Sequence, residues 1–289
     1  MNYRHHFHAG NFADVTKHVL LVQLLRALQK KDRGLLYLDT HAGRGVYDLA
    51  AAAQGDSLAR RPEHPDGIGR VWARVDAPAP VADYVALVRQ CDQEWGNREE
   101  EAPRFYPGSP WLARKLARPQ DRLALCEKHL EECAALETEF GGAKRVAVHA
   151  MDGYAALRAM LPPPERRALV LIDPPFEVQD EFAQIVAALR EGLRRLPAGV
   201  FAVWYPLTVR ARTEAFLAAL RDMQPPPTLA LELALAGENS PLKMKGCGLA
   251  VINPPWQFDQ ECKPILEWLA HALEPAPDGG ARLEWIVPE

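Results

Sequence analysis

Leu169-Val170-Leu171-Ile172 runs straight into Asp173-Pro174-Pro175-Phe176, with no spacer between the apolar run and the acidic turn. Four apolar residues, two of them β-branched, predict a strand buried on both faces, which is the condition of a parallel sheet. The prolines bring no amide hydrogen to a ladder, so the chain must leave the sheet as a stiff extended turn. Asp173 then stands at the carboxyl end of a parallel strand, where open α/β sheets bind ligands, and Phe176 projects beside it.

An acceptor carboxylate next to an exposed aromatic ring suits methyl transfer to the exocyclic amine of a flat base. The lone pair of that amine is delocalised into the ring until its two hydrogens are held by acceptors. Asp173 and the Pro174 carbonyl are the candidates for that task, because their hydrogen bonds favour a pyramidal nitrogen and stabilise the positive charge that develops on it. Phe176 would stack on the base and fix its plane. The same tetrapeptide taken alone is equally a strand end with a Pro-Pro turn, so the rest of the chain has to decide.

The 289 residues, 48% of them hydrophobic, suffice for one large domain or one domain with an insertion. A net charge of -4 and a pI near 6.2 exclude a protein that holds nucleic acid through bulk positive charge. Any such footprint is local, and residues 1–45, with seven Lys/Arg against three Asp, are the best segment for it. Five cysteines without CxxC spacing indicate neither a disulfide framework nor a zinc knuckle. His5, His6 and His8 lack a neighbouring Cys or carboxylate, so no metal is expected. Without an apolar leader or a spanning segment, the chain reads as soluble and cytoplasmic, with no membrane partner. A monomer is the expectation, on which the sequence itself is silent.

Taken in order, a helix opens near Asp14 and runs to about Lys30, with Lys17 and His18 on what reads as a solvated face. Leu35 to Leu38 predict a strand that exits through Asp39-Thr40-His41-Ala42-Gly43-Arg44-Gly45, where small residues let backbone amides approach a ligand. The dinucleotide fingerprint would need glycine at Asp48, which weakens a dehydrogenase reading. Residues 50–104 read as an inserted, mostly helical subdomain, dividing 1–49 from 105–289 of the main domain. The delayed helix starts at Tyr106-Pro107-Gly108-Ser109-Pro110, with Ser109 as its N-cap.

The second strand, Arg122 to Cys126, ends at Glu127, where a carboxylate can accept from both ribose hydroxyls. The third, Arg145 to His149, leads to Asp152-Gly153, a carboxylate and amide suited to an adenine edge. Helix 181–195, strand 199–205, helix 213–221 and strand 229–235 continue the alternation. A second apparent tetrapeptide, Asn253-Pro254-Pro255-Trp256, ends a strand that forms a hairpin with the one before it, so that strand runs antiparallel and Asn253 emerges at the edge opposite Asp173. It is read as structural. A helix from Pro264 to Leu273 and an edge strand near Arg282 to Val287 close the chain.

This layout is that of an α/β, Rossmann-like class I methyltransferase sheet with a reversed last strand. In detail the chain resembles the bacterial 23S rRNA adenine-N6 methyltransferase J family. The stretches that carry the resemblance are Tyr3-Arg4-His5, Phe7-His8-Ala9-Gly10-Asn11, Lys17-His18, Leu38-Asp39-Thr40-His41-Ala42-Gly43, Tyr106-Pro107-Gly108-Ser109-Pro110 and Asp173-Pro174-Pro175. Similarity extends to Asn253-Pro254-Pro255-Trp256 and Val287-Pro288-Glu289.

The resemblance implies S-adenosyl-L-methionine as cofactor, contacted by Lys17 or His18, His41, Gly43, Ser109, Glu127, Asp152 with Gly153, and Asp173. It implies Asp173 as catalytic acceptor, assisted by Pro174 and Phe176, and Tyr3, Arg4, His5 and Lys17 on the RNA. It also implies the target, adenine 2030 in domain V of 23S rRNA, naked or in an early large-subunit particle. Phe176 departs from the tyrosine usual at that position, and stacking survives the change. Two rival readings share these residues: an adenine-N6 methyltransferase acting on DNA, and a cofactor-binding ribosome assembly factor without catalysis.

Overall fold

The computed structural model describes residues 7–53, 61–99, 101–273 and 276–289. Helix α1 (Phe12–Gln29) precedes strand β1 (Leu36–Asp39), and β2 (Val46–Asp48) leads into α2 (Leu49–Ala53), α3 (Ile68–Trp72) and α4 (Ala79–Glu94). Strand β3 (Phe105–Pro107) then pairs antiparallel with β2, so a two-stranded ribbon that periodicity missed brackets the helical excursion. Next come α5 (Ser109–Leu116), β4 (Arg122–Cys126), α6 (Leu130–Phe140), β5 (Val146–His149), α7 (Gly153–Met160) and β6 (Ala168–Ile172). The chain closes with α8 (Glu181–Arg195), β7 (Val200–Leu207), α9 (Arg210–Asp222), β8 (Thr228–Ala234), β9 (Gly246–Ile252), α10 (Phe258–Ala272) and β10 (Gly280–Val287).

Eight strands form one sheet in the spatial order β10-β8-β9-β7-β6-β1-β4-β5. The ladder from β5 to β7 is parallel, whereas β9 runs antiparallel to both β7 and β8, as the hairpin reading expects. Every residue of β1 and β6 is buried, which is why their sequences are apolar without alternation. Strand order reverses between these two neighbours, and they are in register with Asp39 opposite Leu171. The open crevice of a doubly wound sheet lies at such a switch point, so Asp39 and Asp173 end on its floor.

Helix α1 corrects the reading of a solvated face. Phe12 through Val22 are all buried, Lys17 and His18 included, because the helix packs on the sheet side against β9 and is covered by α4, α5 and α10. Periodicity reports one apolar stripe and is blind to a second layer supplied by a distant segment.

Helix α10 starts six residues before Pro264 and keeps that proline inside. Burial of Phe258, Cys262, Ile265, Leu266 and Leu269 outweighs the roughly 3 kcal/mol that an interior proline costs. Helix α9 likewise extends past both expected ends. Helix α5 has Gly108, not Ser109, as its N-cap residue, which releases the serine hydroxyl for the site.

Asn253 lies at the amino end of β7, opposite the Asp173 edge, and its Nδ2 donates to the Pro197 and Gly199 carbonyls at 2.8 Å each. Its φ of 55° is left-handed, a conformation asparagine tolerates better than most side chains. Asn253→Ala is therefore expected to lower unfolding stability by about 2–3 kcal/mol through lost hydrogen bonds and backbone strain, read by urea denaturation.

Candidate active site

Carboxylates from four adjacent parallel strands gather at one sheet edge: Asp39 as the last residue of β1, Glu127 after β4, Asp152 after β5 and Asp173 after β6. Asp39 is fully buried. Its Oδ2 accepts from the Tyr37 hydroxyl at 2.8 Å and the Ser109 hydroxyl at 2.7 Å, and its Oδ1 from the His41 amide at 3.3 Å. Burial pushes its carboxyl up to about 6, against the pull of the two hydroxyl donors and with help from the charge of Asp173.

Lys17 reaches across from α1. Its Nζ donates to Asp14 Oδ1 at 2.8 Å and to Asp173 Oδ2 at 2.6 Å, and the ammonium is almost fully buried. Burial works against the charge, but the two carboxylates outweigh it and hold Lys17 well above the ordinary lysine range. Asp14 is itself held by the Gly10 amide on Oδ2, at 3.0 Å. Among the described residues, no donor reaches Asp173 Oδ1 or the Pro174 carbonyl. Both acceptors thus lack a donor within the described chain.

His41 projects from the β1 exit. The single hydroxyl hydrogen of Thr40 goes to the Leu171 carbonyl at 2.9 Å, so the 2.8 Å contact to His41 Nδ1 requires that nitrogen to carry the hydrogen. Burial lowers the imidazole to about 4, leaving a neutral ring with an acceptor at Nε2. Tyr154 meets this ring edge-on at 5.2 Å and donates to Glu181 Oε1 at 2.5 Å. His18 Nδ1 lies 2.8 Å from the Tyr106 hydroxyl, itself 2.7 Å from that of Tyr84 on α4.

Glu127 is oriented by two amides, with Gly43 N on Oε2 at 2.9 Å and His129 N on Oε1 at 2.7 Å. Gly43 sits at φ 62°, and a Cβ there would fall 2.3 Å from the Tyr47 hydroxyl, so only glycine brings its amide so close. Asp152 Oδ1 caps α7 through the Tyr154 and Ala155 amides, and its Oδ2 pairs with Lys128 at 3.2 Å. Burial opposes its charge, but the Ala155 amide and Lys128 hold it below the ordinary carboxylate range. Gly153 opens α7 directly under Thr40, where a Cβ would lie 2.0 Å from the Thr40 carbonyl.

This set fits an adenosyl sulfonium. Glu127 offers acceptors to a diol, His129 Nδ1 is buried beside it without a partner, and the surrounding carboxylates suit a cation.

The fold brings Lys17 to Asp173, Ser109 to Asp39 and Gly43 to Glu127, and two expectations are corrected. Phe176 is half-buried rather than projecting freely, in the left-handed region at φ 50°, and packs edge-on against Phe182 at 5.1 Å and Trp204 at 5.7 Å. The basic segment is no single footprint either: Lys17, Arg26, Lys30 and Arg44 are ion-paired with Asp173, Asp83, Glu261 and Glu132. Tyr3, Arg4 and His5 lie outside the described residues, as do His5 and His6 of the histidine cluster, and His8 pairs with Glu63. Sequence reasoning passed over Asp14, Tyr37, Tyr154 and Glu181. A carboxylate one turn before Lys17 was the only available signal among them.

Sheet order, reversed β9 and the carboxylates on the switch-point crevice define a class I S-adenosylmethionine-dependent methyltransferase. The family model described as ribosomal RNA large subunit methyltransferase D, RlmJ, matches residues 32–287. Proteins named ribosomal RNA large subunit methyltransferase J from Escherichia coli and Haemophilus influenzae are each 39% identical over 289 residues, all of this chain and all of theirs. A solved Legionella pneumophila structure is similar at TM-score 0.85 and 38% identity, covering 96% of this chain and 98% of that one. The chain belongs to the RlmJ family.

Two outcomes follow. Because the folded pKa of Asp39 is raised, its contribution favours folding below the unfolded value and is lost as pH rises through about 6. Wild-type stability measured against Asp39→Asn should fall by about 2 kcal/mol between about pH 4.5 and pH 7.5 in urea titrations. Lys17→Met strands two carboxylates and should cost ~3–5 kcal/mol, with part regained in Asp14→Asn/Lys17→Met.

Proposed function

We propose that the protein methylates N6 of an adenine in 23S ribosomal RNA, the domain V adenine 2030, by direct in-line transfer. The observation that carries this is that Asp173 Oδ1 and the Pro174 carbonyl, just past the carboxyl end of β6, have no donor among the described residues. The names of the full-length relatives support RNA of the large subunit as the substrate class.

S-adenosylmethionine, when bound, supplies a methyl group on an already electrophilic sulfonium, so the protein's work is positioning and charge stabilisation. Glu127 would hold the ribose hydroxyls, Asp152 and the Gly153 amide the adenine edge, and His18, His41, Gly43, Ser109 and Lys17 would shape the remaining wall. Lys17 occupies Asp173 Oδ2 and so turns Oδ1 toward the substrate amine. The two open acceptors take the amine hydrogens and favour a pyramidal nitrogen, and the carboxylate stabilises its developing positive charge. The exposed part of the Phe176 ring stacks on the base, with Phe182 and Trp204 behind it fixing its plane. A target that must leave its stack is most cheaply presented from a loop or bulge. Tyr3, Arg4 and His5 would meet the RNA around it, and residues 50–104 act as an inserted unit bearing on α1.

The test is transfer of labelled methyl to an unmodified 23S rRNA domain V transcript and to duplex DNA. Label should appear on the RNA adenine N6 and fall by at least about 10²-fold in Asp173→Ala, with circular dichroism unchanged. Label on DNA alone would reassign the substrate, and label on neither would favour the assembly-factor reading. Phe176→Tyr should retain near-normal activity, whereas Phe176→Ala should lose stacking of ~1–3 kcal/mol in transition-state stabilisation. Equal losses in the two variants would sink the stacking role.

A further inference from the structure

The carboxyl edge of the sheet carries Glu127, Asp152 and Asp173 over the buried Asp39, and its nearest cations are committed: Lys17 to Asp14 and Asp173, Lys128 to Asp152. A polyanion brought there meets like charge. The opposite edge of the same sheet has the reverse character. The segments entering β1, β4, β5 and β6 carry Lys31, Arg33, Arg118, Arg122, Lys144, Arg145, Arg166 and Arg167, eight cations against the three carboxylates Asp32, Asp121 and Glu165. That is a local +5 on a chain of net -4.

The carboxylates are largely spoken for. Asp121 is held by Arg118 and Glu165 by Arg122. Lys31, Arg33, Lys144, Arg145 and Arg166 are exposed, and among the described residues none closes an ion pair. The surface is also built. Arg118 donates to the Lys31 and Arg33 carbonyls at 2.8 and 3.0 Å, and Arg167 donates to the Arg33 carbonyl at 2.5 Å, so two guanidiniums fix the loop that presents Lys31 and Arg33. Arg145 and Arg166 both hold left-handed backbone, φ 63° and 54°, each at the entry to a strand, a conformation disfavoured for arginine that recurs at two entries of the same sheet edge. A groove of about 340 Å³ lined by Arg33, Gly34, Gln120, Arg145, Pro164 and Glu165 runs between them.

We propose that this amino-edge surface is a second RNA-docking site that grips the phosphate backbone of the substrate RNA away from the methylated base. The proposal rests on the rRNA reading above. Strands of four to five residues at about 3.3 Å per residue separate the two edges by roughly 15 Å through the sheet, and the outer path around the covering helices, each about 10 Å across, is longer still, so a folded RNA domain reaches both and a short stem-loop reaches only the crevice. The entries of these four neighbouring strands, about 4.8 Å apart from one to the next, bring the cations to one edge of the sheet. Phosphate contacts of this kind fix register without reading sequence.

The experiment compares the full-length wild type with Arg33→Gln/Arg145→Gln/Arg166→Gln on two substrates, the domain V transcript and a short stem-loop carrying the target adenine. Methyl transfer gives kcat and KM, and fluorescence anisotropy gives affinity over a salt series. The expected result is a KM for the transcript raised about tenfold or more and a log–log salt slope shallower by about 2 to 3, one step per lost phosphate contact. The kcat on both RNAs, the KM for the stem-loop and the KM for S-adenosylmethionine stay at wild-type values. Transcript affinity and salt slope equal to wild type would overturn the proposal, as would equal losses on both RNAs. Should that variant not fold, Lys31→Gln/Lys144→Gln alters only exposed side chains and reads the same quantities, with a slope change of about 1 to 2. Because anisotropy reports binding without turnover, failure of the rRNA methylation reading shows as absent label on wild-type RNA, separately from failure of the docking site.

Discussion

One buried ammonium ties the catalytic edge to the body of the protein. Lys17 lies between Asp14, on its own helix, and Asp173, at the end of β6, so α1 and the central strand share a single charged contact in a low-dielectric interior. A lone lysine or a lone pair of carboxylates would be prohibitive there, whereas the three together leave one net negative charge offset by hydrogen bonds. The cost of that arrangement is met by a helix buried on every side, whose apolar residues bridge the sheet and the helices of the inserted segment.

The arrangement also divides the two oxygens of Asp173. Oδ2 is committed to Lys17, and Oδ1 is left without a donor, as is the carbonyl of Pro174, which follows the last residue of β6. A carboxylate free to rotate would lose preorganisation, and a fully paired one would have no acceptor to offer. Asp39 completes the floor as a buried carboxyl near neutrality, braced by Tyr37 and Ser109. That is also why Ser109 does not cap its own helix: its hydroxyl is spent on Asp39, and Gly108 takes the cap position.

The chain's charge is equally partitioned by the fold. Residues 1–45 look like one basic segment in the sequence, yet α1 runs from the carboxyl edge of the sheet to its amino edge, β1 brings Arg44 back, and ion pairs absorb Lys17, Arg26, Lys30 and Arg44. Among the described residues of the segment, Lys31 and Arg33 close no ion pair, and they join arginines from three later turns. Charge counted along a chain says little about charge at a surface when a helix of 18 residues intervenes.

The sequence by itself determined the parallel strands, their order of use and the functional edge. Continuous apolar runs ending in Asp39, Glu127 and Asp173 are local signals, and so is the short Gly- and Pro-bearing link that made β9 antiparallel and sent Asn253 to the far edge. Motif resemblance supplied the chemistry. Only the tertiary structure decided that Lys17 is buried against Asp173, that Phe176 leans on Phe182 and Trp204, and that the strand entries assemble a basic row. Each of these depends on contacts between segments far apart in the chain, such as Lys17 with Asp173, and periodicity in a window of ten or so residues carries no information about such partners.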